Sequence, residues 1–248
     1  MKMKILLAAS LLLPSITASA QIGQHRNVFS VGVNGGVSLS KIAFQPEVTQ
    51  SQHLGPTFGI LFRYTPEKYF STICSIQAEV NYTAMGWKER ILDVNNQGVP
   101  LSDGSGMQHY SRTISYVQVP LLTHLAWGKE KKGLQFFVNL GPQFGYKVGE
   151  STDCNFNVRE EMQKVSTGTS SRSNVTMAQD TMSVEHAFDY GIAVGAGFEY
   201  VHPNIGRFFI EGRYYLGLGN IYGSTKRDYF QRSDYNNILI KVGYIRDL

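Results

Sequence analysis

Apolar and polar residues alternate with a period of two along most of the chain. Eight segments keep the pattern long enough to cross a bilayer as tilted strands. They run from Phe29 to Leu39, Thr57 to Tyr64, Ile73 to Met85, Ile114 to Trp127, Leu134 to Val148, Phe188 to Val201, Phe208 to Leu218 and Ile238 to Ile245. The sixth is the most regular. There Phe188, Tyr190, Ile192, Val194, Ala196, Phe198 and Tyr200 share one face, opposite Asp189, Gly191, Gly195, Gly197 and Glu199. Leu61 breaks the pattern of the second, and Pro120 removes a ladder donor from the fourth, a residue better suited to edges and bulges.

The connections alternate between two classes. Short ones at 65–72, 128–133 and 202–206 separate long ones at about 40–55, 88–113, 149–187 and 220–237. Short turns at one end and long loops at the other predict an all-β, eight-stranded antiparallel up-and-down transmembrane barrel, with both termini on the short-turn, periplasmic side. A soluble ligand-binding barrel or a sandwich shows the same periodicity but turns its apolar set inward. Three features favour the membrane. The polar faces are rich in glycine and small uncharged residues, a poor composition for a solvated surface. Their charges, Arg63, Glu79, Lys147, Asp189, Glu199, Glu211, Arg213 and Lys241, include both signs and suit pairing in a narrow lumen. Aromatics gather at strand ends as interfacial girdles do, with Tyr64, Trp127, Tyr200, Phe208 and Tyr244 on the turn side and Tyr82, Tyr146 and Tyr222 on the loop side.

The first residues change the compartment. Lys2 and Lys4 precede an apolar run from Ile5 to Leu13, and Ala18-Ser19-Ala20 stands before Gln21. This predicts a secretory signal peptide over residues 1–20 and a barrel domain over 21–248. The apolar run is shorter than the roughly 20 residues of a spanning helix, and no cysteine follows it to carry a lipid. The mean hydropathy of −0.17 does not bear on a barrel, whose strands expose only alternate residues to lipid. The 25 glycines and 12% aromatic residues favour strands and turns over packed helices. Without Lys2 and Lys4 the 23 basic residues become 21 against 19 acids, a balance of +2 that points to no nucleic-acid partner.

Several strand signatures resemble a known family. Gly32-Val33-Asn34-Gly35-Gly36, Tyr116-Val117-Gln118-Val119-Pro120-Leu121-Leu122 and Asn139-Leu140-Gly141-Pro142 occur in order, followed by the spaced glycines from Gly191 to Gly197. Together they resemble the PorT-like outer-membrane β-barrel family of Bacteroidota, over nearly the whole mature chain. The resemblance implies an eight-stranded barrel in a Gram-negative outer membrane, in which the segment ending at Pro120 is a strand. It also implies an accessory role in type IX protein secretion, with outer-membrane lipid and secretion-machinery or other outer-membrane proteins as partners.

Little in the chain suggests catalysis. The six histidines show no metal-ligand spacing, Cys74 and Cys154 form no CxxC, and no GxSxG serine occurs. No catalytic, metal or cofactor residues are assigned, and none of these groups is expected. An outer-membrane enzyme acting on lipid A or peptides remains the alternative, with His109, Ser111 and Ser115 as its weak candidates. His124 is expected to be a hydrogen-bonded lumen residue. Glu199, Glu211 and Arg213 read as a charge ladder that fills the barrel rather than as an acid–base pair. The tract from Ser166 to Ser173 reads as a flexible, solvated loop, and Asp180-Thr181-Met182 resembles a short O-glycosylation acceptor of Bacteroidota. The two cysteines fall at opposite ends of the expected barrel, so no bridge between them is expected.

Overall fold

The computed structural model describes residues 23–223 and 228–248, so the signal-peptide reading of residues 1–20 lies outside the described residues. Eight long strands form the wall: β1 Gly23–Gln45, β2 His53–Tyr69, β3 Thr72–Glu89, β4 Tyr110–Gly128, β5 Gly133–Cys154, β6 Phe188–His202, β7 Gly206–Gly217 and β8 Arg232–Asp247. Each pairs antiparallel with its chain neighbours, and β1 pairs with β8, which closes the ring. A two-residue strand, Gln50–Ser51, adds to the top of β3.

The register fixes the barrel's dimensions. Paired residues can be followed once round the wall from Phe29 through Tyr64, Ile76, Thr123, Leu140, Val194, Tyr214 and Ile238. The circuit returns to β1 at Leu39, a stagger of 39 − 29 = 10 residues. Ten residues of about 3.3 Å against eight strands spaced about 4.8 Å give a tilt of roughly 40°. Eight strands enclose a lumen only wide enough for side chains.

The apolar set faces outward. Phe29, Val33, Phe62, Leu140, Phe198, Ile210 and Val242 are exposed, while Ser30, Asn34, Arg63, Asn139, Glu199, Glu211 and Lys241 are buried. A soluble barrel makes the opposite choice, so the belt is a surface for lipid. On β6 the belt runs from Phe188 to Tyr200, twelve residue steps that rise roughly 30 Å at this tilt, about the thickness of a bilayer core. At its turn-side edge Phe29 stacks on Tyr64 with centroids 4.6 Å apart, and Phe208 lies 5.1 Å from Tyr244.

Above the belt the alternation reverses. On β1 the outward residues through Leu39 are apolar, and beyond it they become Lys41, Ala43 and Gln45 while Ile42 and Phe44 turn inward and are buried. On β3 the inward Ser75, Gln77, Glu79, Asn81 and Thr83 give way to Met85 and Trp87. On β4 the outward set changes from Val119 and Val117 to Ser115, Thr113 and Ser111. The wall therefore continues into water, where the exterior is polar and the interior apolar. For this reason β1, β4, β5 and β8 run several residues past the ends read from the lipid-facing pattern, into the expected loops 40–55, 88–113, 149–187 and 220–237.

Pro120 sits inside β4, where the pairing with β3 lapses between Ala78↔Leu121 and Asn81↔Gln118. The expected loop 149–187 contains a helix, α1 Val158–Ser166, that strand periodicity cannot reveal. Asn157 caps it, accepting from the Arg159 backbone N–H at 3.2 Å and donating to Glu160 at 2.9 Å. The Ser166–Ser173 tract is tied down rather than loose: the Thr169 backbone N–H donates to the Lys164 carbonyl, Ser173 to that of Leu92, and Arg172 is buried.

Cys74 pairs with Leu125 and Cys154 with Tyr110, both on β4. These partners stand 125 − 110 = 15 residues apart along β4, about 50 Å at 3.3 Å each, far beyond a disulfide's reach.

Candidate functional site

The inward charges form one network across the middle of the lumen. Glu79 on β3 is its centre, 1% exposed. Its carboxylate accepts from Arg213 Nη1 at 3.0 Å and Nη2 at 2.6 Å, and from Lys241 Nζ at 2.6 Å. It also accepts from Gln77 Nε2 at 2.6 Å and Asn81 Nδ2 at 2.7 Å. Arg213 reaches back along its own strand to Glu211 with Nε and Nη2, each at 2.9 Å, and Asn139 Nδ2 donates to the same carboxylate at 2.9 Å. A second pair follows toward the turns. Arg63 donates to Gln77 at 3.0 Å and to Glu199 at 2.8 Å, and Arg207 reaches the other oxygen of Glu199 at 3.4 Å.

The network corrects three expectations. Of the expected ladder only Glu211 meets Arg213; Glu199 pairs instead with Arg63 and Arg207. Lys147 stays out of the lumen plug, bonded at the loop-side rim to Glu150 at 3.1 Å. Asp189 sits above the plug and accepts from the Tyr215 hydroxyl at 2.7 Å. Arg207 was not anticipated because it opens its strand, where parity is weakly defined, yet its partner Glu199 lies on the cleanest alternating segment.

Toward the turns the lumen is sealed by apolar groups: Leu61, Ala126, Phe137, Phe209 and Ile245 are all buried. Leu61 thus breaks the outward pattern because it belongs to this inner cluster. Two glycines make room for the rings. A Cβ on Gly197 would lie 2.6 Å from the Phe137 ring, and one on Gly243 would overlap Phe209. His124 is a lumen residue as expected, bonded through Nδ1 to Asn139 at 2.8 Å and leaning on Phe137.

The loop end is closed by a second core. Phe44 packs edge-on to Trp87 at 5.4 Å and against Phe230 at 4.8 Å, and Tyr222 stacks on Phe230 at 5.6 Å. Tyr222 is fully buried here, so it is part of this dome and not of the interfacial girdle. Arg112 fastens the long loop to the wall through Glu150 and through the backbone carbonyls of Gln179 at 3.0 Å and Met182 at 2.6 Å. Arg172 bonds Gln108 at 2.7 Å and lies 4.5 Å over the Phe156 ring. Asp180 is buried against the Glu89 carboxyl; burial first, then the Glu89 charge and the hydrogen bond between the two carboxyls, push its pKa up to about 9. Its neighbour Thr181 is exposed, with its hydroxyl donating to the Ala178 carbonyl at 3.2 Å.

The weak catalytic candidates do not assemble. His109 pairs with Asp153 at 3.3 Å, and the Ser115 hydroxyl bonds Tyr82 at the belt edge at 2.7 Å. Among the described residues no hydrogen bond joins His109 to Ser111 or Ser115.

An outward-facing apolar belt, a charged plug and a loop dome are consistent with one family, described as "Outer membrane protein beta-barrel domain", whose pattern matches residues 19–223. The chain belongs to this family. Among solved structures it is similar to Ail, the attachment invasion locus protein of Yersinia pestis, at 12% identity over 89% of this chain and 100% of that one, with a TM-score of 0.37. It is also similar to OprG of Pseudomonas aeruginosa, at 13% identity over 90% of this chain and 98% of that one, with a TM-score of 0.41. For Neisserial surface protein A the identity is 10%, over 88% and 95%, with a TM-score of 0.41. No curated protein matches the sequence.

Removing Glu79 leaves Arg213 and Lys241 buried without their shared anion. Glu79→Ala is expected to destabilise the folded barrel by about 3–5 kcal/mol in urea titrations in detergent, whereas an outward Val80→Ala should cost far less. An unchanged midpoint for Glu79→Ala would refute the plug's role.

Asp180 generates a pH dependence. Its folded pKa lies above the unfolded value, so its contribution to dome stability is full below about pH 4 and declines as pH rises to about 9. Proteolysis within 155–187 is therefore expected to accelerate from pH 6 to pH 10, and Asp180→Asn to flatten that rise. A parallel rise in both proteins would exclude Asp180 as its source.

Proposed function

We propose that this outer-membrane barrel is a closed, non-catalytic structural and interaction component that works through its loop dome, with both termini periplasmic. The observation that carries the reading is the continuous filling of the lumen: the Leu61–Phe137–Phe209 cluster, the Glu79 network and the Phe44–Trp87–Phe230 dome follow one another along the axis. A filled lumen offers no route through the wall, so function falls to the lipid belt, the loops and the partners they meet. Planar-bilayer recording of the purified barrel is expected to show no stable conductance. Steady nanosiemens openings would overturn the reading.

The strand motifs shared with PorT-like barrels support a finer assignment, an accessory role in type IX secretion with secretion-machinery proteins as partners. The dome suits such a role because it is a solvent-facing unit with its own core. A deletion strain is then expected to retain cargo proteins that the parent exports, with export restored by the full-length gene. Unaltered export would remove this assignment and leave the closed-barrel reading standing.

A further inference from the structure

The ladder between β6 and β7 opens at the loop-side edge of the belt. The last bonds are Leu218 N–H to the Tyr190 carbonyl at 2.8 Å and, above the gap, the Glu185 and His186 N–H groups to the Ile221 carbonyl at 3.0 and 3.2 Å. Between them the outer face holds a cleft of about 630 Å³. Its lower half is the top of the belt: Tyr146, Phe188, Tyr190 and Leu218, all 45–59% exposed. Its upper half is polar: Glu185, His186 and Asn220. Gly219 forms part of the floor, where a Cβ would come within 3.3 Å of the Tyr190 ring.

We propose that this cleft binds a saccharide-headed lipid from the loop-side leaflet, with the sugar against the polar lip and the chain against the aromatic wall. The inference rests on the membrane reading of the belt. Its volume falls within the roughly 300–1,000 Å³ of ligand sites, as does a hollow of about 600 Å³ in the belt beside Val33, Phe198 and Tyr244; what sets this cleft apart is its polar lip. The cleft straddles the boundary where apolar strand gives way to polar loop, so an occupant lying wholly in lipid or wholly in water would meet the wrong half. The head is specified by the lip. His186 lines the cleft and holds its Nδ1 against the Asn220 carbonyl at 3.0 Å, which leaves Nε2 free for a ligand. Asn220 uses its Oδ1 to accept from Ser233 N–H at 2.8 Å, which leaves its amide NH₂ to donate. Glu185 supplies an acceptor. One acceptor, one donor and one imidazole nitrogen match the mixed donors and acceptors of vicinal hydroxyls, while the Glu185 carboxylate disfavours a phosphate head. The Tyr146 and Tyr190 rings offer the flat faces on which a sugar's C–H edges and the upper chain can lie.

The test uses the full barrel in a detergent without sugars, probed by native mass spectrometry with n-dodecyl-β-maltoside, free maltose and dodecylphosphocholine. Saturable binding of one dodecyl maltoside is expected, with dodecylphosphocholine at least tenfold weaker and maltose weaker still. Ala187→Trp, which fills the cleft, should weaken the maltoside at least tenfold, and His186→Ala should narrow the gap between the two detergents. The parent and both variants are expected to migrate differently with and without boiling, a readout of the closed barrel that is independent of the cleft. Equal binding of the two detergents, or undiminished maltoside binding by a folded Ala187→Trp, would overturn the proposal. Maltose binding as tight as the maltoside would also overturn it, since the site would then read free sugar and not lipid. Bilayer conductance, not this titration, decides the closed-barrel reading.

Discussion

The narrowness of an eight-stranded ring governs the rest of this structure. With a stagger of ten residues the wall leaves space for side chains and little else, so an inward polar group cannot rely on bulk water. Burying one carboxylate unpaired costs several kcal/mol, and pairing it alone leaves lone pairs unmet. Glu79 answers both demands with two cations and two amides around a single carboxylate. The ladder closes because its charges cancel: Arg63, Arg213 and Lys241 stand against Glu79, Glu199 and Glu211, and Arg207 at the turn-side end is balanced by Asp247.

The inversion of the alternation on β1, β3 and β4 marks where the surrounding solvent changes. Below it lipid demands apolar groups outside, and the strand supplies Val33, Val80 and Val119; above it water demands Lys41, Lys88 and Thr113. One continuous sheet thus serves as a membrane barrel at one end and as a soluble-type barrel with an aromatic core at the other. The strands that extend furthest, β1, β4, β5 and β8, build the dome's wall, while β6 and β7 stop at the belt edge and leave the gap in which Glu185, His186 and Asn220 converge. The dome and the lateral cleft therefore have one origin, unequal strand lengths around the ring.

Much of the lumen was legible in advance. Period two assigns each strand residue to one of two faces, and parity alone puts Glu211, Arg213, Lys241 and His124 inward. Their partners were not legible, because a partner depends on which strands lie opposite across the lumen and on the stagger between them. Glu199 shows the difference: its face was read correctly, but its partners are Arg63, 136 positions away in the chain, and Arg207 at a strand start. The dome escaped for another reason. Following one apolar face along β1 ends at Leu39, where the face changes side, so Ile42 and Phe44 read as loop. Likewise Tyr222 was assigned to the girdle because aromatic residue and position look alike in both roles, and only the fold shows it buried.

The sequence by itself determined what is local: strands of period two, short turns alternating with long loops, an even strand number and the lipid-facing set with its aromatic edges. These follow from backbone geometry and from the solvent each face meets, both of which are written residue by residue. The tertiary structure alone decided what depends on closure. That includes the stagger of ten, the pairing of Glu79 with Arg213 and Lys241, the packing of Phe137 and Phe209 over Gly197 and Gly243, the folding of 155–187 around Arg112 and Arg172, and the gap above Leu218. Each is a contact between segments distant in the chain, set by how the ring closes in three dimensions and carrying no period that a linear reading can detect.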